Sequence, residues 1–176
     1  MRPPRVFLIG LPGVGKSTYA RKWATLLRVS YVDTDEEIVR RTGRSISEWF
    51  AEGERTFRNI EAQTIDTLLQ EGHRGIWAIG GGYPAAPGRV EYLRRHGYVV
   101  WVDLPVPLLM ERLEREAGSR PLLLQRPPLA WVRLFLVRRH YYRAADLHWP
   151  VEQLPEATLL GWVERRLLAS SNEKPS

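Results

Sequence analysis

Residues 10–18 read GLPGVGKST. An apolar run, VFLIG at 6–10, leads into them, and a helical pattern opens after Gly15. The spacing Gly10-x-x-x-x-Gly15-Lys16-Ser17 is the Walker A pattern in its proper setting of strand, loop and helix. Its glycines let the backbone curl until successive N–H groups point inward at phosphate oxygens, and the helix N-terminus adds partial positive charge. Gly13, Val14, Gly15, Lys16, Ser17 and Thr18 are the expected phosphate contacts. Lys16 is placed to bridge the β- and γ-phosphates, and the Ser17 hydroxyl to ligate Mg²⁺. A glycine-rich turn that merely starts a helix is the plain alternative; the Lys-Ser pair in register speaks against it. The pattern predicts a nucleoside triphosphate and is silent on the acceptor.

Outward from this loop, apolar runs at 6–10, 31–33, 75–80 and 98–104 read as buried parallel strands. Helical periodicity separates them at roughly 15–27, 54–71, 88–96 and 106–117. A long helix at roughly 129–145, a short fifth strand near 147–151 and a last helix after Pro155 complete the pattern. The alternation predicts an α/β fold, three layers (α/β/α) around a five-stranded parallel sheet. Between two helices, AGSRPLLLQRPP (117–128) is rich in Gly, Pro and Arg and is expected to be a mobile loop. One domain over 1–170 and a disordered tail over 171–176 are expected.

The chain has 176 residues, 44% hydrophobic, with no apolar run long enough to span a membrane. Cysteine is absent, which excludes disulfides, thiolate nucleophiles and cysteine metal sites. The opening MRPPRVFLIG lacks the longer apolar stretch of a signal peptide, so a cytoplasmic protein is expected. A net charge of +6 raises the question of nucleic acid. The arginines, however, interleave with glutamates, as in ERLEREAGSR and WVERRLLASS, which marks solvated helix faces. No nucleic-acid or membrane partner is therefore expected.

The stretch YVDTDEEIVRRTGRSISEWFAEGERTFRNIE (31–61) stands opposite the phosphate loop. Asp33 and Asp35 are two apart, which in extended chain puts both carboxylates on one side. The carboxyl ends of parallel strands line the ligand crevice. One carboxylate near Mg²⁺ and one near an acceptor hydroxyl would divide the labour, but Asp35 is equally placed to cap a helix over EEIVRR. The residues alone leave both open.

Six segments in order, DTD, GRSISEWF, GERTFRNIE, IGGG, RPLL and RRHYYRAADL, resemble the shikimate kinase family from the phosphate loop to about residue 147. The resemblance implies a P-loop fold of the nucleoside-monophosphate-kinase kind, with a substrate-binding segment at 34–61 and a lid at 117–128. It implies transfer of the γ-phosphate of ATP to the 3-hydroxyl of shikimate, giving shikimate 3-phosphate and ADP, with Mg²⁺, by a monomer. Asp33 then serves the metal with Ser17, and Asp35 is the base facing the ring hydroxyls. Arg58 grips the substrate carboxylate with two parallel hydrogen bonds, which lysine cannot reproduce. Glu61, one turn on, lies on the face where it can hold Arg58, although a surface i,i+3 pair is the plain alternative. Gly80, Gly81 and Gly82 line the substrate pocket, where backbone N–H groups approach a ligand closely. Arg120, on the lid, reaches the γ-phosphate as a catalytic cation, and lid closure excludes water; Arg126 is unassigned. Arg138, four residues before Tyr142, is the second carboxylate contact, with Arg139 as substitute because HYY replaces the usual PLY. Arg112 stacks on adenine, and the last adenine-contacting loop falls near Pro155. Phe50 and Phe57 are expected to pack near the ring, with plain core as the alternative at helical spacing, and neither is counted among the binding residues.

Another P-loop kinase, for gluconate or a nucleoside monophosphate, would share GxxxxGKS without GERTFR and GGG in these places. A non-catalytic relative would be expected to have lost Lys16, Asp35, Arg58 or Arg120.

Overall fold

The structure, a computed structural model, describes residues 2–115 and 127–168. Five parallel strands form one sheet: β1 (Arg5–Ile9), β2 (Tyr31–Asp33), β3 (Gly75–Ala78), β4 (Tyr98–Asp103) and β5 (Leu147–Pro150), in the order β2-β3-β1-β4-β5. The helices are α1 (Lys16–Leu27), α2 (Thr34–Thr42), α3 (Ile46–Glu52), α4 (Glu54–Gln70), α5 (Arg89–His96), α6 (Val106–Arg115), α7 (Pro128–Tyr142) and α8 (Glu156–Leu168).

The central strand explains why the sheet forms here. Val6, Phe7, Leu8 and Ile9 are all fully buried, so both faces of β1 are covered, as a continuous apolar run in a parallel sheet requires. Each such side chain contributes about 1.5–3 kcal/mol on burial. β1 pairs with β3 on one side and β4 on the other, Val6 lying between Ile76 and Tyr98. Helix α1 packs through Ala20, Trp23 and Ala24, the i, i+3, i+4 stripe of an amphipathic helix. Trp23, Tyr19 and Trp149 form an aromatic cluster, and the Trp23 indole N–H donates to Glu156 at 2.7 Å, so burial leaves no polar atom stranded there.

Of the two helices that follow β2, the first was one of the alternatives left open at Asp35 and the second was not anticipated. α2 (TDEEIVRRT) and α3 (ISEWFAE) are short, and neither shows a sustained apolar stripe. Their ends hold them. The Asp33 side chain accepts from the N–H groups of Asp35 and Glu36, and Ser45 forms a reciprocal capping box with Glu48. This corrects the expected cap: Asp33, not Asp35, closes α2. It also corrects the geometry behind the paired aspartates, because the strand ends at Asp33 and Asp35 lies in the first helical turn. The pair sharing a strand face is instead Tyr31 and Asp33. β3 stops at Ala78 rather than 80, and α7 runs from Pro128 to Tyr142 rather than to 145. Most of the expected lid, with Arg120 and Arg126, and the tail at 171–176 lie outside the described residues.

Candidate active site

The loops leaving the carboxyl ends of β1, β2 and β3 converge on one cavity of about 520 Å³. Its floor is the phosphate loop. Gly15 holds φ at 99°, a left-handed conformation that a side chain resists, and offers no side chain to cap α1. The first N–H groups of that helix are therefore not consumed by a cap and are available to an anion. Lys16, 8% exposed, donates to the carbonyls of Gly10 at 3.1 Å and Leu11 at 3.0 Å, which folds its ammonium back over the loop. Gly13, Gly15, Lys16, Ser17 and Thr18 all line the cavity. Val14 is buried beneath it, and its carbonyl accepts from Arg112 at 3.2 Å, so Arg112 lies along the outer edge of the loop.

At the end of β2, one carboxylate collects four donors. Asp33 Oδ1 accepts from the N–H of Asp35 (2.9 Å) and of Glu36 (3.2 Å), while Oδ2 accepts from Ser17 Oγ (2.5 Å) and the Tyr31 hydroxyl (3.2 Å). Burial, then the charge of Asp33, pushes the Tyr31 phenol well above its ordinary pKa, so it remains a protonated donor. Among the described residues, no group of three or more His, Cys, Asp or Glu could hold a metal alone. A hydroxyl and a carboxylate side by side nevertheless suit Mg²⁺, which takes one or two protein oxygens and completes its shell with phosphates and water.

On the far side of the cavity stand the groups suited to an acidic, hydroxylated acceptor. Arg58 Nη1 donates to Glu61 at 2.8 Å, and Nη2 reaches Glu54 at 3.3 Å. The guanidinium also lies 5.5 Å from the Phe50 ring and 5.1 Å from the Phe57 ring. Glu61 is no surface partner: its side chain is 1% exposed and its Oε1 has no hydrogen-bond partner among the described residues. Burial raises its carboxyl to about 7, the Arg58 charge and hydrogen bond only partly opposing and Asp35 adding to the rise.

The Gly80–Gly82 turn lies against all of this. A Cβ on Gly80 would run into Glu61 Oε1 and Asp35 Oδ1, one on Gly81 would press on Pro12, and one on Gly82 would overlap the Arg58 guanidinium. The Gly81 carbonyl accepts from Arg138 at 2.8 Å and from the Tyr142 hydroxyl at 2.9 Å. Arg138 thereby faces the cavity. Arg139 does not line it, and its guanidinium lies 5.8 Å from the Phe135 ring.

The cavity thus brings together Lys16, Ser17, Asp33, Asp35, Arg58, the three glycines and Arg138. Ile46, Phe50, Phe57 and Pro12, which sequence reasoning did not select, also line it. Ile46 and Phe50, four apart on α3, were the available signal; Phe57 is core and wall at once, at 2% exposure against 42% for Phe50. No helix among the described residues is long and apolar enough to cross a membrane.

Comparison with known proteins agrees with this geometry. The family model described as "Shikimate kinase" matches residues 12–159. The shikimate kinase of Synechococcus elongatus is 41% identical over 158 residues, spanning 88% of this chain and 82% of that protein. That of Mycobacterium avium is 38% identical over 172 residues, 95% of each. Among solved structures, the shikimate kinase of Acinetobacter baumannii in complex with shikimate superposes with a TM-score of 0.79 at 29% identity, covering 97% of this chain and 96% of that one. A family match over residues 12–159, from the phosphate loop into the last helix, with relatives 38–41% identical over most of both chains, means that the chain belongs to the shikimate kinase family.

Proposed function

We propose that this protein transfers the γ-phosphate of ATP to the 3-hydroxyl of shikimate, releasing ADP and shikimate 3-phosphate. One observation carries the reading: a single cavity holds a phosphate loop, a carboxylate in Asp35 and two arginines, Arg58 and Arg138. An acceptor with a carboxylate and hydroxyls is what that combination fits.

Arg58, steadied by Glu61, meets the substrate carboxylate with a bidentate fork, and Arg138 adds a second cation while tied to Gly81. Asp35 accepts the hydrogen bond of the attacking hydroxyl and takes its proton as the new O–P bond forms and the bond from the γ-phosphorus to ADP breaks. A positioned base is worth roughly 10²–10⁴ in rate. Orientation of two bound reactants contributes roughly 7–11 kcal/mol of barrier lowering. Lys16 exchanges its bonds to Gly10 and Leu11 carbonyls for phosphate oxygens. Ser17 and Asp33 would hold Mg²⁺, which when bound would offset negative charge on the phosphates. Arg112, lying along the loop, is assigned to the adenine. Arg120 is assigned by the RPLL pattern to the transferring phosphate, on a lid over 117–128 that closes the 1–170 domain. The enzyme is taken to act as a cytoplasmic monomer.

The test is ADP release with shikimate, gluconate and AMP offered separately. Turnover with shikimate alone is expected. Turnover with gluconate alone, or with AMP alone, overturns the assignment.

A further inference from the structure

The family pattern gives Asp33 to the metal and says nothing of the tyrosine two residues before it. We infer that Tyr31 is a positioning residue for Asp33, fixing the carboxylate in the orientation that Mg²⁺·nucleotide binding requires. The inference rests on the metal assignment made above.

The geometry is specific. Oδ1 of Asp33 is pinned by two backbone amides of α2, at 2.9 Å and 3.2 Å, which leaves Oδ2 to set the tilt of the carboxylate. Among the described residues, two donors reach Oδ2: the Ser17 hydroxyl and the Tyr31 hydroxyl. Ser17 is itself a metal-ligand candidate, so its hydroxyl must re-aim when a cation arrives. Tyr31 is no ligand candidate; its other polar neighbour is the Arg21 side chain. Being two residues back on β2, it reaches Asp33 along one strand face whatever the phosphate loop does. Outer donors of this kind typically control metal affinity by about 10–100-fold.

The ring has a separate role. The Arg21 guanidinium lies 5.2 Å from the Tyr31 ring and pairs with Glu36 at 2.7 Å. Ring and glutamate together occupy a cation that would otherwise compete for the Asp33 carboxylate. Tyr31→Phe therefore removes the hydroxyl, with its contacts to Asp33 and Arg21, and keeps the ring beneath the guanidinium; Tyr31→Leu removes both.

The test uses Mn²⁺ as the probe. Its binding to the full-length protein with ADP is followed by electron paramagnetic resonance of free Mn²⁺, and shikimate affinity by tryptophan fluorescence. Tyr31→Phe is expected to weaken Mn²⁺ binding about tenfold with shikimate affinity unchanged, and Tyr31→Leu to weaken it further. Mn²⁺ affinity of Tyr31→Phe within about twofold of wild type would overturn the positioning role while leaving the metal assignment intact. Equal loss of Mn²⁺ and shikimate affinity would reduce Tyr31 to a structural residue. Failure of the wild-type ADP complex to take up Mn²⁺ would overturn the metal assignment, and this role with it.

Discussion

Replacing Glu61 with glutamine separates the fold's need for this side chain from the charge it carries. The carboxyl is almost wholly enclosed, pairs with Arg58 at 2.8 Å, and feels Asp35 and Arg138 nearby. Burial dominates these influences and raises it from 4.5 to about 7. The sign follows directly. The folded state favours the neutral acid, so between about 4.5 and about 7 the unfolded chain binds fewer protons than the native one, and stability falls as pH rises through that window. The whole interval is worth about 3 kcal/mol, undiminished by solvent screening because the group is buried. That is a large part of the 5–15 kcal/mol typical of a domain.

Glutamine imitates the neutral acid and cannot ionise. Urea unfolding of both proteins, from about pH 5 to about pH 8, measures the difference. The variant is expected to gain about 2.5 kcal/mol on wild type across that range. Carboxylates with the opposite linkage do not confuse the comparison. Glu37 beside Arg40, Glu48 beside Ser45 and Glu71 beside Arg41 are held below their ordinary values and lose stability as pH falls, but they are common to both proteins. Parallel stability curves for wild type and Glu61→Gln would show that Glu61 is ionised throughout, and the argument from burial would fail.

Arg58→Lys is expected to weaken shikimate binding by about 1.5–3 kcal/mol, the worth of a charged hydrogen bond, and to leave ATP affinity intact; separate titrations of the two ligands check it, and equal loss of both counts against the carboxylate role. Asp35→Asn should keep most shikimate affinity and lose roughly 10²–10⁴ in turnover, read from calorimetry beside initial rates. Gly82→Ala places a methyl where the Arg58 guanidinium lies. Because the end of a flexible side chain gives way more cheaply than backbone, KM for shikimate should rise about tenfold or more while the urea midpoint moves little.

What could be read from the chain was whatever depends on short range. The phosphate loop was legible because each glycine and the Lys-Ser pair answer a local demand, and β1 because a run of four buried residues has no other stable place. α3 escaped, and α2 stayed an open alternative, because their stability sits in caps and not in periodicity. The two aspartates do line one cavity with the phosphate loop, but not through a shared strand face, because the strand ends at the first of them. Adjacent arginines such as Arg138 and Arg139 point about 100° apart on a helix, so only the packed position of α7 tells which one meets Gly81. Glu61 was legible as a partner placed to hold Arg58, but not as a buried one. Its enclosure by Gly80 and α4 is a tertiary fact, and with it comes the altered proton affinity.

The glycine turn shows how the fold converts a sheet into a positioned site. Ile79 N–H still donates to the Leu8 carbonyl at 3.1 Å, so the ladder between β3 and β1 continues past the last strand residue. Gly80 N–H donates to Thr34 Oγ1 at 2.9 Å, which ties the next peptide to the start of α2. The turn is thus anchored by backbone bonds before any ligand arrives. Each glycine then meets a different element: Gly80 the carboxylates of α2 and α4, Gly81 the phosphate loop and, through its carbonyl, α7, and Gly82 the guanidinium of α4. A side chain at any of the three would push these groups apart. Their absence lets Asp35, Arg58 and Arg138 be spaced by one backbone segment instead of by independent loops. Phosphoryl transfer draws on placement and charge more than on covalent chemistry, so on the proposed reading a turn anchored at Leu8 and Thr34 contributes through where it places these groups.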